Sequence, residues 1–192
     1  MSPSDPLSVL QDSLRGSPII WKGDYPYFIH PISDGIPRMD ADVLRATRDL
    51  IVEMVDWSKI DLIVSVEAMG LPLLAAVGDA TGKPTVVIRK REYGMEGEVR
   101  VDVSTGYSQS TTFINDISPG ERILIVDDVI STGGTLEPIL ATLEEMGVIL
   151  QDIVIAIEKG EGRERLARER PRWPIRTLAR IDIIDGKVEI LE

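Results

Sequence analysis

A chain of 192 residues with 43% hydrophobic content is long enough for one globular domain with a sizeable core. The absence of cysteine excludes disulfides, thiol catalysis and Cys-bound zinc, and a single histidine excludes a His-rich metal site. A formal net charge of −11, from 32 acidic and 21 basic residues, opposes binding to a nucleic-acid backbone.

The N-terminal Met-Ser-Pro-Ser-Asp-Pro lacks the basic and apolar regions of a signal peptide, and no apolar run reaches the roughly 20 residues of a membrane span. A cytoplasmic protein without a membrane partner is expected. Leu7, Leu10 and Leu14 have helical spacing and predict a short helix over 5–15. Residues 25–37 are aromatic, Pro-rich and irregular, as in a surface cover. His30, beside Pro31, is either a hydrogen-bonded structural histidine or a ligand contact.

Val43, Leu44, Leu50, Ile51, Met54 and Val55 share one face of an amphipathic helix over 39–57. A buried strand at 62–66, an apolar helix at 71–81 stopped by Gly82-Lys83-Pro84, and a strand at 85–88 form a parallel βαβ unit. Its first turn, Glu67-Ala68-Met69-Gly70, lies at the carboxyl edge of the sheet, where ligands gather in doubly wound folds. Gly70 either belongs to a ligand loop or merely starts a helix. Arg89-Lys90-Arg91 follows the next strand end, either facing an anionic ligand or forming a surface basic cluster. Residues 92–110 alternate weakly at Val99, Val101 and Val103 and are long for a loop with so little core, which suggests a mobile hairpin or lid.

The run at 123–135 organises the rest. Ile123-Leu124-Ile125-Val126 reads as a strand buried on both faces, and Asp127-Asp128 closes it. An unpaired carboxylate costs several kcal/mol to bury, so two at a strand mouth must face something polar. Ser131-Thr132-Gly133-Gly134-Thr135 then brings hydroxyls and unobstructed backbone amides to a helix N-terminus, an arrangement suited to a phosphate. Carboxylates for sugar hydroxyls beside a loop for the sugar's phosphate describe a ribose 5-phosphate site. Leu136, Ile139, Leu140, Leu143 and Met146 mark the core face of the following helix.

A buried strand at 153–157 ends in Glu158-Lys159-Gly160-Glu161-Gly162, which lacks the third glycine of a dinucleotide fingerprint; no Walker A motif occurs. Arg163, Arg165, Arg168, Arg170 and Arg172 are interleaved with Glu161, Glu164 and Glu169, the pattern of a solvated helix face. Asp185-Gly186 between aliphatic alternations predicts a C-terminal hairpin.

The 123–135 run closely resembles the 5-phosphoribosyl-1-pyrophosphate (PRPP) signature of type I phosphoribosyltransferases: two acidic residues after an aliphatic strand, then a Thr-Gly-Gly-Thr loop. The similarity extends from about Trp21 to the C-terminus. Its context looks most like the archaeal hypoxanthine/guanine branch, with further similarity to adenine phosphoribosyltransferases. The resemblance implies an α/β fold with a doubly wound, mostly parallel sheet, a small hood over the base from about 18–38 and 175–192, and a flexible lid over 92–110. One domain would span 1–192. Tyr25, Tyr27, Phe28 and His30 would be candidates to line the hood, and Tyr107 is the lid residue singled out.

By the same resemblance, Asp127 and Asp128 are catalytic, holding the ribose hydroxyls, and Ser131, Thr132, Gly133, Gly134 and Thr135 hold the 5′-phosphate. Glu67, Ala68, Met69, Gly70, Arg89 and Lys90 bind the diphosphate; Val129, Ile130 and Lys159 contact the base. Lys159 is placed either to donate to a 6-oxo group or to pair with a nearby Glu. Mg2+ would be held mainly by PRPP oxygens rather than a protein cage. The implied partners are PRPP, a purine base and a second subunit in a homodimer, with no nucleic acid or membrane. Hypoxanthine/guanine enzymes generally carry an Asp where this chain has Ser131, and adenine enzymes carry a Glu before a lid Tyr-Gly, where Gly106 precedes Tyr107 here. Glu98, Asp102 or Glu158 would have to substitute, or the proton is lost to water. The expected activity is salvage of hypoxanthine or guanine; adenine or xanthine specificity, or a PRPP- or purine-sensing regulator, are the alternatives.

Overall fold

A computed structural model describes residues 5–23, 25–105 and 108–191. Helix α1 spans Pro6–Arg15, strands β1 and β2 Ile19–Lys22 and Tyr25–Phe28, the short helix α2 Pro31–Asp34, and α3 Ala41–Met54. A βαβ unit follows: β3 Leu62–Val66, α4 Gly70–Thr81, β4 Thr85–Ile88. The second half comprises β5 Val99–Thr105, β6 Ser108–Ile114, β7 Arg122–Ile130, α5 Leu136–Glu145, β8 Ile149–Lys159, α6 Gly162–Glu169, β9 Ile175–Ile184 and β10 Lys187–Leu191.

Six strands form the central sheet in the order β10-β9-β8-β7-β3-β4. All neighbours run parallel except the β9–β10 pair. The continuous aliphatic run of β7 is explained by this position, because both of its faces are covered. Leu124 and Val126 enter a core shared with α1, α3 and α4, whereas Ile123 and Ile125 enter one shared with α5, α6 and the β5–β6 hairpin. Helices on both faces make the fold doubly wound, and every parallel strand directs its carboxyl end to the same edge.

Local sequence chemistry sets the helix boundaries. Asp40 accepts from the Asp42 and Val43 amides at 2.8 and 3.2 Å, so α3 begins at Ala41. Gly82 in the left-handed conformation stops α4. Leu10 and Leu14 of α1 are fully buried against the first core, which gives the N-terminal helix a packing role.

The segment 175–191, expected in the hood, instead extends the central sheet. β9 pairs in parallel with β8 from Ile153↔Ile175 to Lys159↔Ile181, and β10 closes that edge antiparallel. Asp185-Gly186 turns the hairpin as its residue types dictate, but pairing with β8 assigns it to the sheet. The β1–β2 ribbon and α2 stand apart from that sheet. β5 and β6 form the expected hairpin, with Val101 and Val103 buried. Its tip, Gly106 and Tyr107, lies outside the described residues.

His30 is structural. Fully buried, its Nδ1 accepts the Ile32 amide at 3.2 Å, capping α2, so its Nε2 carries the proton and donates to Ser13 Oγ of α1 at 2.9 Å. Burial lowers its pKa from 6.5 to about 4. The unfolded chain therefore binds the extra proton between those values, and the histidine's contribution is lost as pH falls from 6.5 towards 4. Replacing His30 by Gln should remove up to about 3 kcal/mol of that pH-dependent difference. Parallel thermal unfolding of the two proteins from pH 7 to 4.5 would measure it; identical slopes would contradict the assignment.

Candidate active site

The carboxyl edge of the sheet collects the site. β7 brings Asp127 and Asp128 to its mouth, and the chain then turns through 131–135 into α5. No side chain caps that helix, and the Glu137 amide in its first turn donates to the Gly133 carbonyl at 2.9 Å. Thr132 Oγ1 accepts the Gly134 amide at 3.3 Å. Gly133 has φ +78°, and a Cβ there would stand 2.9 Å from Leu166 Cδ1, so the turn demands glycine twice over. A cavity of about 190 Å3 is lined by all five loop residues together with Asp127, Val129, Ile130, Leu136 and Ile155.

A second cavity, of about 230 Å3, is also lined by Asp127. Glu67, Ala68 and Lys90 line it with Asp128, and Ser110 and Thr112 of β6 complete its wall. The two cavities share Asp127, Val129 and Thr135. The expected diphosphate residues therefore divide. Lys90 faces the cavity, whereas Arg89 is held beside Glu67, its Nε 3.3 Å from Oε2, and is not among the lining residues. Glu67 also accepts the Lys90 amide at 3.0 Å. The Glu67–Ala68 peptide is cis.

Gly70 does more than start α4. A Cβ at this position would fall 2.0 Å from Ser65 Oγ and 2.5 Å from Asp127 Oδ1. Met69 likewise acts through packing, its methyl lying against Gly35. The helix thus abuts the carboxylate directly, and only a glycine permits the approach.

Burial raises the pKa of both carboxyls, and the charge of Asp127 pushes Asp128 up further. Hydrogen bonds from Asp128, including its amide 3.0 Å from Asp127 Oδ1, and the nearby Lys90 charge partly offset the rise at Asp127. Two adjoining carboxylates short of positive charge form a site that favours a cation or a hydroxyl-rich ligand.

The β1–β2 ribbon meets the end of β8. Lys159 Nζ donates to Tyr25 Oη at 2.7 Å and to the Pro26 carbonyl at 2.8 Å, and lies 3.9 Å from the Tyr25 ring centroid. Its partners are therefore hood atoms rather than a glutamate. Val129 packs beside the first core, which includes the hood residue Phe28, whereas Ile130 is buried in the second. Of the expected apolar base contacts, Val129 is thus the one on the hood side.

The three substitute proton acceptors are engaged elsewhere. Glu98 accepts the Tyr93 and Gly94 amides and Asn115 Nδ2, ordering the approach to β5. Asp102 accepts from Arg100 and Thr111. Glu158 is buried; its Oε2 accepts from Arg163 Nε at 2.6 Å and Thr177 Oγ1 at 2.9 Å, while Oε1 has no hydrogen-bond partner among the described residues and lies 3.6 Å from Arg180 Nε.

A profile of the phosphoribosyl transferase domain matches residues 36–169. The chain belongs to the phosphoribosyl transferase family. It is 46% identical to a hypoxanthine/guanine phosphoribosyltransferase of Methanotorris igneus over 95% of this chain and 100% of that protein. A protein of the same name from Methanobrevibacter ruminantium is also 46% identical, over 95% of this chain and 96% of its own. Among solved structures, an adenine phosphoribosyltransferase from Thermoanaerobacter pseudethanolicus superposes with a TM-score of 0.73 at 22% identity, covering 91% of this chain and 99% of that one. One from Rhodothermus marinus gives 0.72 at 25% identity, over 91% and 98%.

In this phosphoribosyl transferase, α6 is the part of the site that sequence reasoning missed. The Gly162 amide donates to the Ser131 carbonyl at 2.8 Å, and Arg165 Nη2 donates to the Thr132 carbonyl at 3.1 Å. The Gly160-x-Gly162 spacing was the visible signal, but nothing local indicates that it backs a loop thirty residues away.

Raised carboxyl pKa values mean that the folded, ligand-free protein holds more protons than the unfolded chain from just above 3.8 through neutral pH, so these groups lower stability as pH rises. Asp128→Asn should therefore stabilise the protein at pH 8 by about 1–2 kcal/mol. Denaturant titration tests this; a destabilised variant would show that the carboxylate is paired after all. Gly70→Ala should cost about 1–3 kcal/mol through overpacking, and a variant of wild-type stability would mean that Ser65 and Asp127 move aside freely.

Proposed function

We propose that the protein is a purine-salvage enzyme that transfers the 5-phosphoribosyl group of PRPP to hypoxanthine or guanine, giving IMP or GMP and diphosphate. The observation that carries this reading is the pair of cavities meeting at Asp127, because PRPP is a sugar with a phosphate at one end and a diphosphate at the other. The 131–135 loop receives the 5′-phosphate, Lys90 faces the diphosphate, and the ribose spans the carboxylates between them.

Bond cleavage at the anomeric carbon separates a cationic sugar from an anionic leaving group, so the protein works by positioning both and balancing their charges. Asp127 and Asp128 accept from the ribose hydroxyls and favour the cation; Lys90 and loop amides favour the anions. Among the described residues no cluster of three metal-binding side chains occurs. Two carboxylates beside an anion cavity suit a hydrated Mg2+ completed by donor oxygens, which would neutralise the diphosphate. Glu98, Asp102 and Glu158 line neither cavity, so the proton of the attacking nitrogen passes to water.

Lys159 supports 6-oxopurine choice. Its ammonium has three N–H donors, and the hood uses two, which leaves one for a 6-oxo acceptor. The 6-amino group of adenine offers no lone pair in its place. Association as a cytoplasmic homodimer completes the proposal; exposed Ile20, Trp21 and Ile36 supply apolar surface for it.

Diphosphate release from PRPP with Mg2+, measured in parallel on hypoxanthine, guanine, adenine, xanthine and uracil, tests the reading. Turnover confined to hypoxanthine and guanine is expected; PRPP binding without turnover on any base would instead indicate a ligand-sensing protein. Lys159→Ala should lower kcat/KM for 6-oxopurines by roughly 10–100-fold, the effect of an unpaired polar group. Equal loss in PRPP hydrolysis without base would assign Lys159 to the fold instead.

A further inference from the structure

We infer that Arg165 is a positioning residue for the phosphate loop: from behind, it fixes the Thr132 carbonyl so that the loop's amides face the 5′-phosphate. The role rests on the donor-site reading above. Two consecutive loop carbonyls are captured by α6, that of Ser131 by the Gly162 amide at 2.8 Å and that of Thr132 by Arg165 Nη2 at 3.1 Å. The loop peptides are trans, since the only cis bonds among the described residues are Ile36–Pro37 and Glu67–Ala68. In a planar trans peptide the N–H points opposite to the C=O. Holding both carbonyls therefore points the Thr132 and Gly133 N–H bonds opposite to the groups that bind those carbonyls, and both residues line the cavity.

Arg165 is itself anchored at several points. Nη2 also donates to Glu137 Oε2 at 2.8 Å, in the first turn of α5, and Nη1 to Glu169 Oε2 at 2.6 Å on its own helix. One guanidinium thereby ties α6 to the entry of the loop at Thr132 and to its exit at Glu137. Close packing makes the backing stiff: a Cβ on Gly162 would fall 2.3 Å from the Ser131 carbonyl oxygen, and one on Gly133 2.9 Å from Leu166 Cδ1. Without the guanidinium, the 132–133 peptide is free to rotate and present its carbonyl to the phosphate, replacing attraction by repulsion. Two carboxylates already balance the Arg165 charge, so its effect on the ligand runs through the Thr132 peptide.

Binding of ribose 5-phosphate and of Mg2+-diphosphate, each measured by calorimetry on the full chain, separates the two halves of the site. Arg165→Met should weaken ribose 5-phosphate roughly tenfold, about 1.4 kcal/mol, and leave diphosphate within about twofold. The KM for PRPP should rise more than kcat falls, and Arg165→Lys should recover part of the loss because an ammonium still donates to Thr132. Glu169→Gln, which removes only the outer arm, should change neither affinity. Equal weakening of both ligands by Arg165→Met, or no weakening, would overturn the role of Arg165 while leaving the donor site intact. A wild-type protein that binds neither ligand would overturn the donor-site reading, and this role with it.

Discussion

Two adjacent carboxyls at the mouth of a strand buried on both faces are the constraint on which the rest of the structure depends. The aliphatic run of β7 places Asp127 and Asp128 where water is partly excluded, and their pKa values rise accordingly. Such a pair is tolerated because it lies at the open edge of a parallel sheet, with a helix N-terminus on one side and the Lys90 charge on the other. The pair is accordingly less stable than an apolar strand end would be.

Everything that surrounds the pair is held at short range by small residues. Gly70 lets α4 approach Asp127, Gly133 lets the loop turn beneath Leu166, and Gly162 lets α6 touch the loop backbone. Preorganisation of this kind does not come from the loop alone. Its carbonyls are bound by a helix that follows the next strand, so β8, α6 and the loop behave as one unit. The hood is joined to the same edge by Lys159, which spans from the end of β8 to Tyr25 and Pro26.

Much of this was legible in advance, for identifiable reasons. The strands β3, β4 and β7, and the core face of α5, follow from aliphatic runs and periodicities that have few alternative readings. The turn at 131–135 follows from the order of residue types, because small hydroxyl and glycine residues after a buried strand favour a tight turn into a helix. The C-terminal hairpin was visible as a hairpin but not as part of the sheet. Asp185-Gly186 reports only on its own turn, whereas the pairing of β9 with β8 is a non-local choice. Arg89 illustrates the same limit: adjacency to Lys90 does not record that Arg89 is paired with Glu67 while Lys90 lines the cavity.

The sequence by itself determined the fold class, the paired carboxylates and the loop that follows them, since each is encoded in consecutive residues whose chemistry is local. Tertiary structure alone decided that His30 is a neutral structural group, that Lys159 bonds to the hood rather than to a glutamate, and that the arginines of α6 include one that grips the loop. Those outcomes depend on which groups meet across the sheet edge. A side chain's partner, and therefore its charge and its task, is set by burial and distance between segments far apart in the chain, and no spacing along the chain records that.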